Sequence, residues 1–140
     1  MHFASEYLLS NEGKQILSLL LDGYKDPEIA LNCGIMLRDT IQQRCIHEYF
    51  LDNSELIKPL FTEYAHSATF EITSDAIQTI KFLLRQNKQL VSKKMYAHGP
   101  LYTSVFKWYT SLIESKEYMT KRMSLQVFFL LLLFTILAIK

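Results

Sequence analysis

The sequence predicts an all-α protein built as a stack of helical repeats, and three observations carry that expectation. Apolar residues recur at helical spacing nearly throughout, whereas strand-like alternation never runs beyond about four residues. Gly and Pro number four and three in 140 residues, too few for a linker-like or loop-rich chain. Similar hexapeptides also recur: Glu28-Ile29-Ala30-Leu31-Asn32-Cys33, Glu71-Ile72-Thr73-Ser74-Asp75-Ala76 and, more loosely, Glu117-Tyr118-Met119-Thr120-Lys121-Arg122, starting 43 and then 46 residues apart. Repeats of about 40–47 residues with two or three helices follow the armadillo/HEAT pattern, an α-α superhelix whose units bury their apolar faces by stacking on neighbours. A compact helical bundle is the alternative that the same periodicity allows.

In chain order, Leu8, Leu9, Ile16, Leu17, Leu20 and Leu21 mark a first helical region, stopped by Asp22-Gly23. Asp26-Pro27-Glu28 then reads as a helix start, with Asp as N-cap, Pro at the first position where its missing N–H costs nothing, and Glu at the positive end of the dipole. Ile29, Cys33, Met36, Leu37, Thr40 and Ile41 are the stripe of that helix. Two shorter pieces follow around His47–Leu51 and Ser54–Tyr64, where Pro59 forces a break, kink or restart. Ser67 or Thr69 caps a long helix with the stripe Ile72, Ala76, Ile80, Leu83 and Leu84, and with Lys81 and Arg85 toward its negative end. Gly99-Pro100 is a boundary, after which Leu101, Val105, Trp108, Leu112 and Ile113 form a helix ending near Ser115. A final helix starts near Lys116-Glu117 and runs into Val127 to Ile139, which is apolar except for Thr135.

If the three repeated helices are equivalent, their N-terminal halves line one face. Phe70, Asn32, Asp75, Tyr118 and Arg122 fall near that face, and Ile29, Cys33, Ile72, Ala76 and Ile80 point inward. Concave solenoid faces bind extended protein ligands, and aromatic and Arg side chains are preferred anchors there. The plainer reading makes Phe70 a helix-entry staple and Tyr118 a core residue.

The chemistry-bearing residues do not assemble a catalytic or cofactor site. A formal charge of +1 supplies no broad attraction for nucleic acid, and Lys93-Lys94 and Lys121-Arg122 are short basic clusters, the former read as a solvated helix end. His2, His47, His66 and His98 lack partners at ligand spacing and are read as surface or interface histidines. The glycines stand singly, so no loop cradles a phosphate, and no serine sits in a nucleophile elbow. Cys33 and Cys45 make no disulfide framework; Cys33 is expected as a small buried apolar residue. The first residues carry no basic-then-apolar signal, so reduced thiols in the cytoplasm are the expectation, with no enzyme activity and no cofactor.

The stretch Asp26-Pro27-Glu28-Ile29-Ala30-Leu31-Asn32-Cys33-Gly34-Ile35-Met36-Leu37-Arg38, preceded by Gly23-Tyr24, closely resembles the mouse-protein-25, or calcium-binding protein 39, family. The resemblance resumes at Thr69-Phe70, Ile72, Ser74-Asp75-Ala76 and Phe82-Leu83-Leu84, and again at Tyr118-Met119-Thr120-Lys121-Arg122 with Ser124-Leu125. It implies a non-catalytic scaffold whose concave face binds serine/threonine kinases of the sterile-twenty type and a related pseudokinase adaptor, favouring the active kinase conformer. It also implies partner-binding roles for Phe70, Tyr118 and Arg122, with Arg122 beside a pocket for the adaptor's Trp-x-Phe tail. Despite the family name, no Asp-x-Asp-x-Asp-Gly loop or other calcium cage is visible.

The resemblance covers roughly Glu6 to Leu125. It therefore divides the chain into residues 1–125, a partial armadillo/HEAT-like domain, and residues 126–140, a divergent apolar helix. Family members are more than twice as long, so the chain reads as the middle of a longer solenoid, without most of the tail pocket. A truncated, non-functional product is one alternative. Another is a tail-anchored membrane protein with a helical head, since the apolar run is flanked by Lys121-Arg122 and Lys140. Thirteen helical residues span only about 20 Å of a hydrocarbon core of about 30 Å, and counting from Met123 gives about 25 Å.

Overall fold

The computed structural model describes residues 6–96 and 99–139, and these form helices and turns with no strand among them. Helix α1, Asn11–Asp22, is capped by Ser10, whose Oγ accepts the Gly13 N–H at 3.2 Å. A 3-10 turn, Gly23–Lys25, leads to α2, Ala30–Ile41. Helix α3 is Arg44–Asp52 and α4 is Lys58–Thr62, with Pro59 in its first turn as a restart requires. After a 3-10 turn at Tyr64–His66 comes α5, Phe70–Arg85, then α6, Lys88–Lys94, α7, Pro100–Ile113, and α8, Tyr118–Ile139.

These helices pack in rows of equivalents. The long helices α2, α5 and α8 lie side by side in that order. Helix α4 meets α7, where the Phe61 and Trp108 rings pack tilted with centroids 5.6 Å apart, and α3 meets α6, where Lys94 bridges to Asp52 at 2.8 Å and Glu48 at 3.9 Å. The 3-10 turns Gly23–Lys25 and Tyr64–His66 also pair, with the rings of Tyr24 and Tyr64 stacked at 5.2 Å. Between the rows runs one apolar core, from Leu17 and Leu37 through Phe50, Phe61 and Ile77 to Val105, Leu112 and Leu131. Cys33 belongs to it, as expected of a small apolar residue.

Burial fixes the repeat register. The buried positions Ala30, Gly34, Leu37 and Ile41 of α2 recur 43 residues later as Thr73, Ile77, Ile80 and Leu84, and 47 residues after those as Thr120, Ser124, Val127 and Leu131. The second interval expected from the hexapeptides, 46, is one residue short, because the loose third match aligned Glu117 rather than Tyr118 with Glu71.

Several other expectations change. Asp26 caps as an Asx turn, its Oδ1 accepting the Glu28 N–H at 2.9 Å, but the chain becomes regular helix only at Ala30. Ile29 therefore sits in the entry turn, 46% exposed, and Met36 lies outside the buried row at 52%. Thr69 holds the N-cap position of α5 without a side-chain cap bond, and Ser67 Oγ accepts the Thr69 N–H at 3.1 Å in the turn before it. Helix α6 escapes the periodicity because it is seven residues long with two buried apolar residues, and its signal is the cap Asn87, at φ 52°, which accepts the Leu90 N–H.

Lys93 is exposed at the end of α6, as a solvated helix end would be, and Lys94 beside it is paired with two α3 carboxylates. His47 is fully buried in the core rather than at the surface. Helix α8 crosses position 125 without interruption. Among the described residues no helix is long and apolar enough to cross a membrane. His2, His98 and Lys140 lie outside the described residues.

Candidate functional site

The row α2–α5–α8 carries the residues singled out from the sequence, and the structure separates them into two kinds. Phe70, the first residue of α5, is 51% exposed, and Tyr118, the first of α8, is 71% exposed. Arg122 stands one turn beyond Tyr118 and is also exposed, so the two share a helix face. Among the described residues, neither the Tyr118 hydroxyl nor the Arg122 guanidinium has a hydrogen-bonding or ionic partner. Tyr118 is thus no core residue. In the structural register Asn32 and Arg122 occupy equivalent positions, both exposed, on the outer helices of the row.

Asp75 is the equivalent position on the middle helix, and it is not available to a partner. Only 7% exposed, it accepts the Tyr24 hydroxyl at 2.6 Å and both arms of Arg38, at 3.1 Å from Nη1 and 3.0 Å from Nη2. Arg38 Nη1 also donates to Thr79 Oγ1 at 2.9 Å, and Thr79 Oγ1 lies 2.7 Å from the Tyr24 hydroxyl. The bidentate fork suits a guanidinium opposite a carboxylate, and the network satisfies each charge with the other.

Burial works against the Arg38 charge, but the Asp75 hydrogen bonds and charge outweigh it, leaving its pKa raised. Burial, and then the Asp75 carboxylate, drive the Tyr24 phenol well above its ordinary range. Tyr24 therefore stays protonated and Arg38 charged through neutral pH, and the network clamps α2 to α5. Arg38 and Tyr24 went unassigned in the sequence. The signal was a charged residue, Asp75, set between Ile72 and Ala76 in an apolar stripe with Thr79 one turn on.

One rung further along the row the contact recurs with other chemistry. Lys81, equivalent to Arg38, donates to Gln126 Oε1 at 2.7 Å, and Gln126 is equivalent to Thr79. The tip of α8 is tied down by Thr120, whose hydroxyl donates to the Ala65 carbonyl at 2.6 Å, and by the Tyr109 hydroxyl, which donates to the Ser124 carbonyl at 3.1 Å. These bonds hold Tyr118 and Arg122 in place relative to the Tyr64–His66 turn and α7. Among the described residues no three of His, Cys, Asp and Glu gather where they could hold a metal ion.

The chain matches the Mo25-like family model over residues 2–137, a span that runs past position 125. Calcium-binding protein 39-like of Mus musculus is 38% identical over 122 residues, covering 87% of this chain and 34% of that protein. Calcium-binding protein 39-like of Homo sapiens is 39% identical over 112 residues, covering 80% of this chain and 32% of that protein. The degreening-related gene dee76 protein of Auxenochlorella protothecoides is 39% identical over 122 residues, or 87% and 36%. The chain spans about a third of the length of these relatives. With a family match over nearly its whole length and an all-helical repeat fold to go with it, the chain belongs to the Mo25-like family.

Proposed function

We propose that the chain is a non-catalytic, cytoplasmic scaffold that binds serine/threonine kinases of the sterile-twenty type and a related pseudokinase adaptor through the α2–α5–α8 face. The observation that carries the proposal is the exposure of Phe70, Tyr118 and Arg122 at the N-terminal ends of two adjacent helices, with no hydrogen-bonding or ionic partner for Tyr118 or Arg122 among the described residues. An aromatic pair beside a free guanidinium can bury apolar area and pair with a carboxylate in one contact. A scaffold that touches only the active kinase conformer raises its population by the difference in affinity for the two conformers.

The test is a titration of a purified sterile-twenty kinase domain with the chain, read by calorimetry and kinase activity. Binding and activation are expected, with each of Phe70→Ala, Tyr118→Ala and Arg122→Ala weakening the complex roughly 5- to 30-fold, about 1–2 kcal/mol. Absence of binding by the folded wild-type chain, or full binding by all three variants, overturns the assignment.

A further inference from the structure

Toward the C-terminal ends of the same helices the face is hollowed into an open groove of about 760 Å³, walled by α2, α5, α6 and α8. Phe82, Leu130 and Leu133 supply its apolar surface, and Lys81, Arg85 and Lys88 its cations. Asp39 is the one carboxylate among the described residues lining it. Arg38 also borders the groove, but its charge is matched by Asp75.

Lys81, Arg85 and Lys88 differ from Arg38 in having no carboxylate within ion-pair distance among the described residues. Lys81 bonds only the neutral amide of Gln126. A chain of net charge +1 therefore concentrates uncompensated positive charge around one apolar hollow. The groove is separate from the first cluster, because Phe70 and Arg85 are fifteen residues apart on α5, about 22 Å along the helix.

We propose that this groove docks an acidic amphipathic segment of a partner protein, its apolar side chains against Phe82, Leu130 and Leu133 and its carboxylates on Lys81, Arg85 and Lys88. The recess requires inserted side chains, which a peptide segment offers and a flat lipid surface does not. The proposal rests on the scaffold reading only in treating the three-helix face as a protein-binding surface, and it uses different residues.

The probe is a fluorescein-labelled peptide with Glu pairs flanking Leu-Phe, compared with the same peptide carrying Gln for Glu, titrated with the whole chain by anisotropy. The acidic peptide is expected to bind at least about tenfold more tightly than its Gln counterpart and to weaken as salt rises. The double substitution Arg85→Glu and Lys88→Glu should weaken it by about tenfold or more. Both side chains are exposed, so the circular dichroism of the variant should be unchanged. Arg85→Gln with Lys88→Gln, expected to act in the same direction by a smaller factor, keeps the test valid should charge reversal unfold the chain.

Phe70→Ala and Arg122→Ala should leave peptide binding intact, so failure of kinase binding and failure of the groove are read separately. Equal affinity for the two peptides, or undiminished binding by both double variants, overturns the proposal. So does binding of phosphatidylserine vesicles that the acidic peptide fails to displace.

Discussion

Between α2 and α5, Arg38 reaches Asp75 and Thr79 in a contact whose charged side chains are 17% and 9% exposed. Between α5 and α8 the equivalent contact joins Lys81 to Gln126 at the surface. The geometry repeats and the chemistry does not. A helical repeat must keep its spacing, since one buried row packs on the next, but it is free to change what bridges the rows. The energetic weight of the bridge then follows burial. A buried pair leaves a stranded charge when one member is removed, whereas a surface contact is replaced by water.

The sharpest way to break this contrast is through Gly34. A Cβ built there would lie 1.8 Å from Asp75 Oδ2 and 2.7 Å from the Tyr24 hydroxyl. Gly34→Ala must therefore push the carboxylate off Arg38, and we expect a loss of about 3–5 kcal/mol, as for Asp75→Ala. Urea unfolding of the single and double variants measures both losses and their overlap. Because the two substitutions disable the same network, the double variant should lose clearly less than the sum. Additive losses would mean that Gly34 acts through helix packing alone, not through Asp75.

The two interfaces also mark where the sequence was legible. The long helices, the Pro59 restart and the Gly99-Pro100 boundary followed from periodicity and turn chemistry, which are local. The face carrying Phe70, Tyr118 and Arg122 followed from the repeat and from family resemblance together. Asp75 was misplaced because helical periodicity counts a carboxylate as an exposed position. Its burial depends on Tyr24 and Arg38, 51 and 37 residues away. His47 was misread for the same reason, since its partner carbonyl belongs to Leu83. Long-range polar pairing leaves little trace in the spacing of apolar residues.

His47 extends the comparison to a buried group without a counter-charge. Its Nε2–H donates to the Leu83 carbonyl at 2.8 Å, in the last turn of α5 where carbonyls lack intrahelical donors. Its Nδ1 has no partner among the described residues. Burial lowers its pKa, with the Leu83 bond opposing. The unfolded chain therefore takes up the proton first as pH falls. The contribution to stability is whole above the ordinary imidazole value of about 6.5 and is lost below it, until the folded imidazole titrates too. The slope is at most about 1.4 kcal/mol per pH unit. Urea midpoints between pH 7 and pH 5 should fall in the wild type and fall less in His47→Leu, which would itself lose about 1–3 kcal/mol at pH 7 by orphaning the Leu83 carbonyl. Identical slopes would assign the acid sensitivity elsewhere.

The smallest effect is expected at the exposed rung. Lys81→Met keeps the aliphatic stem and removes the ammonium, and Gln126→Ala removes the acceptor, so each should change stability by no more than about 1 kcal/mol. Their coupling in a double-mutant cycle should be smaller still, and well below that of Arg38 with Asp75. Equal coupling at the two rungs would sink the argument that burial, rather than position in the repeat, sets the strength of the bridge. Lys81→Met carries a second reading. Because its ammonium also faces the groove, the variant should bind the acidic peptide more weakly while its unfolding curve hardly moves. That pairing separates a side chain that holds the repeats together from one whose charge is turned outward.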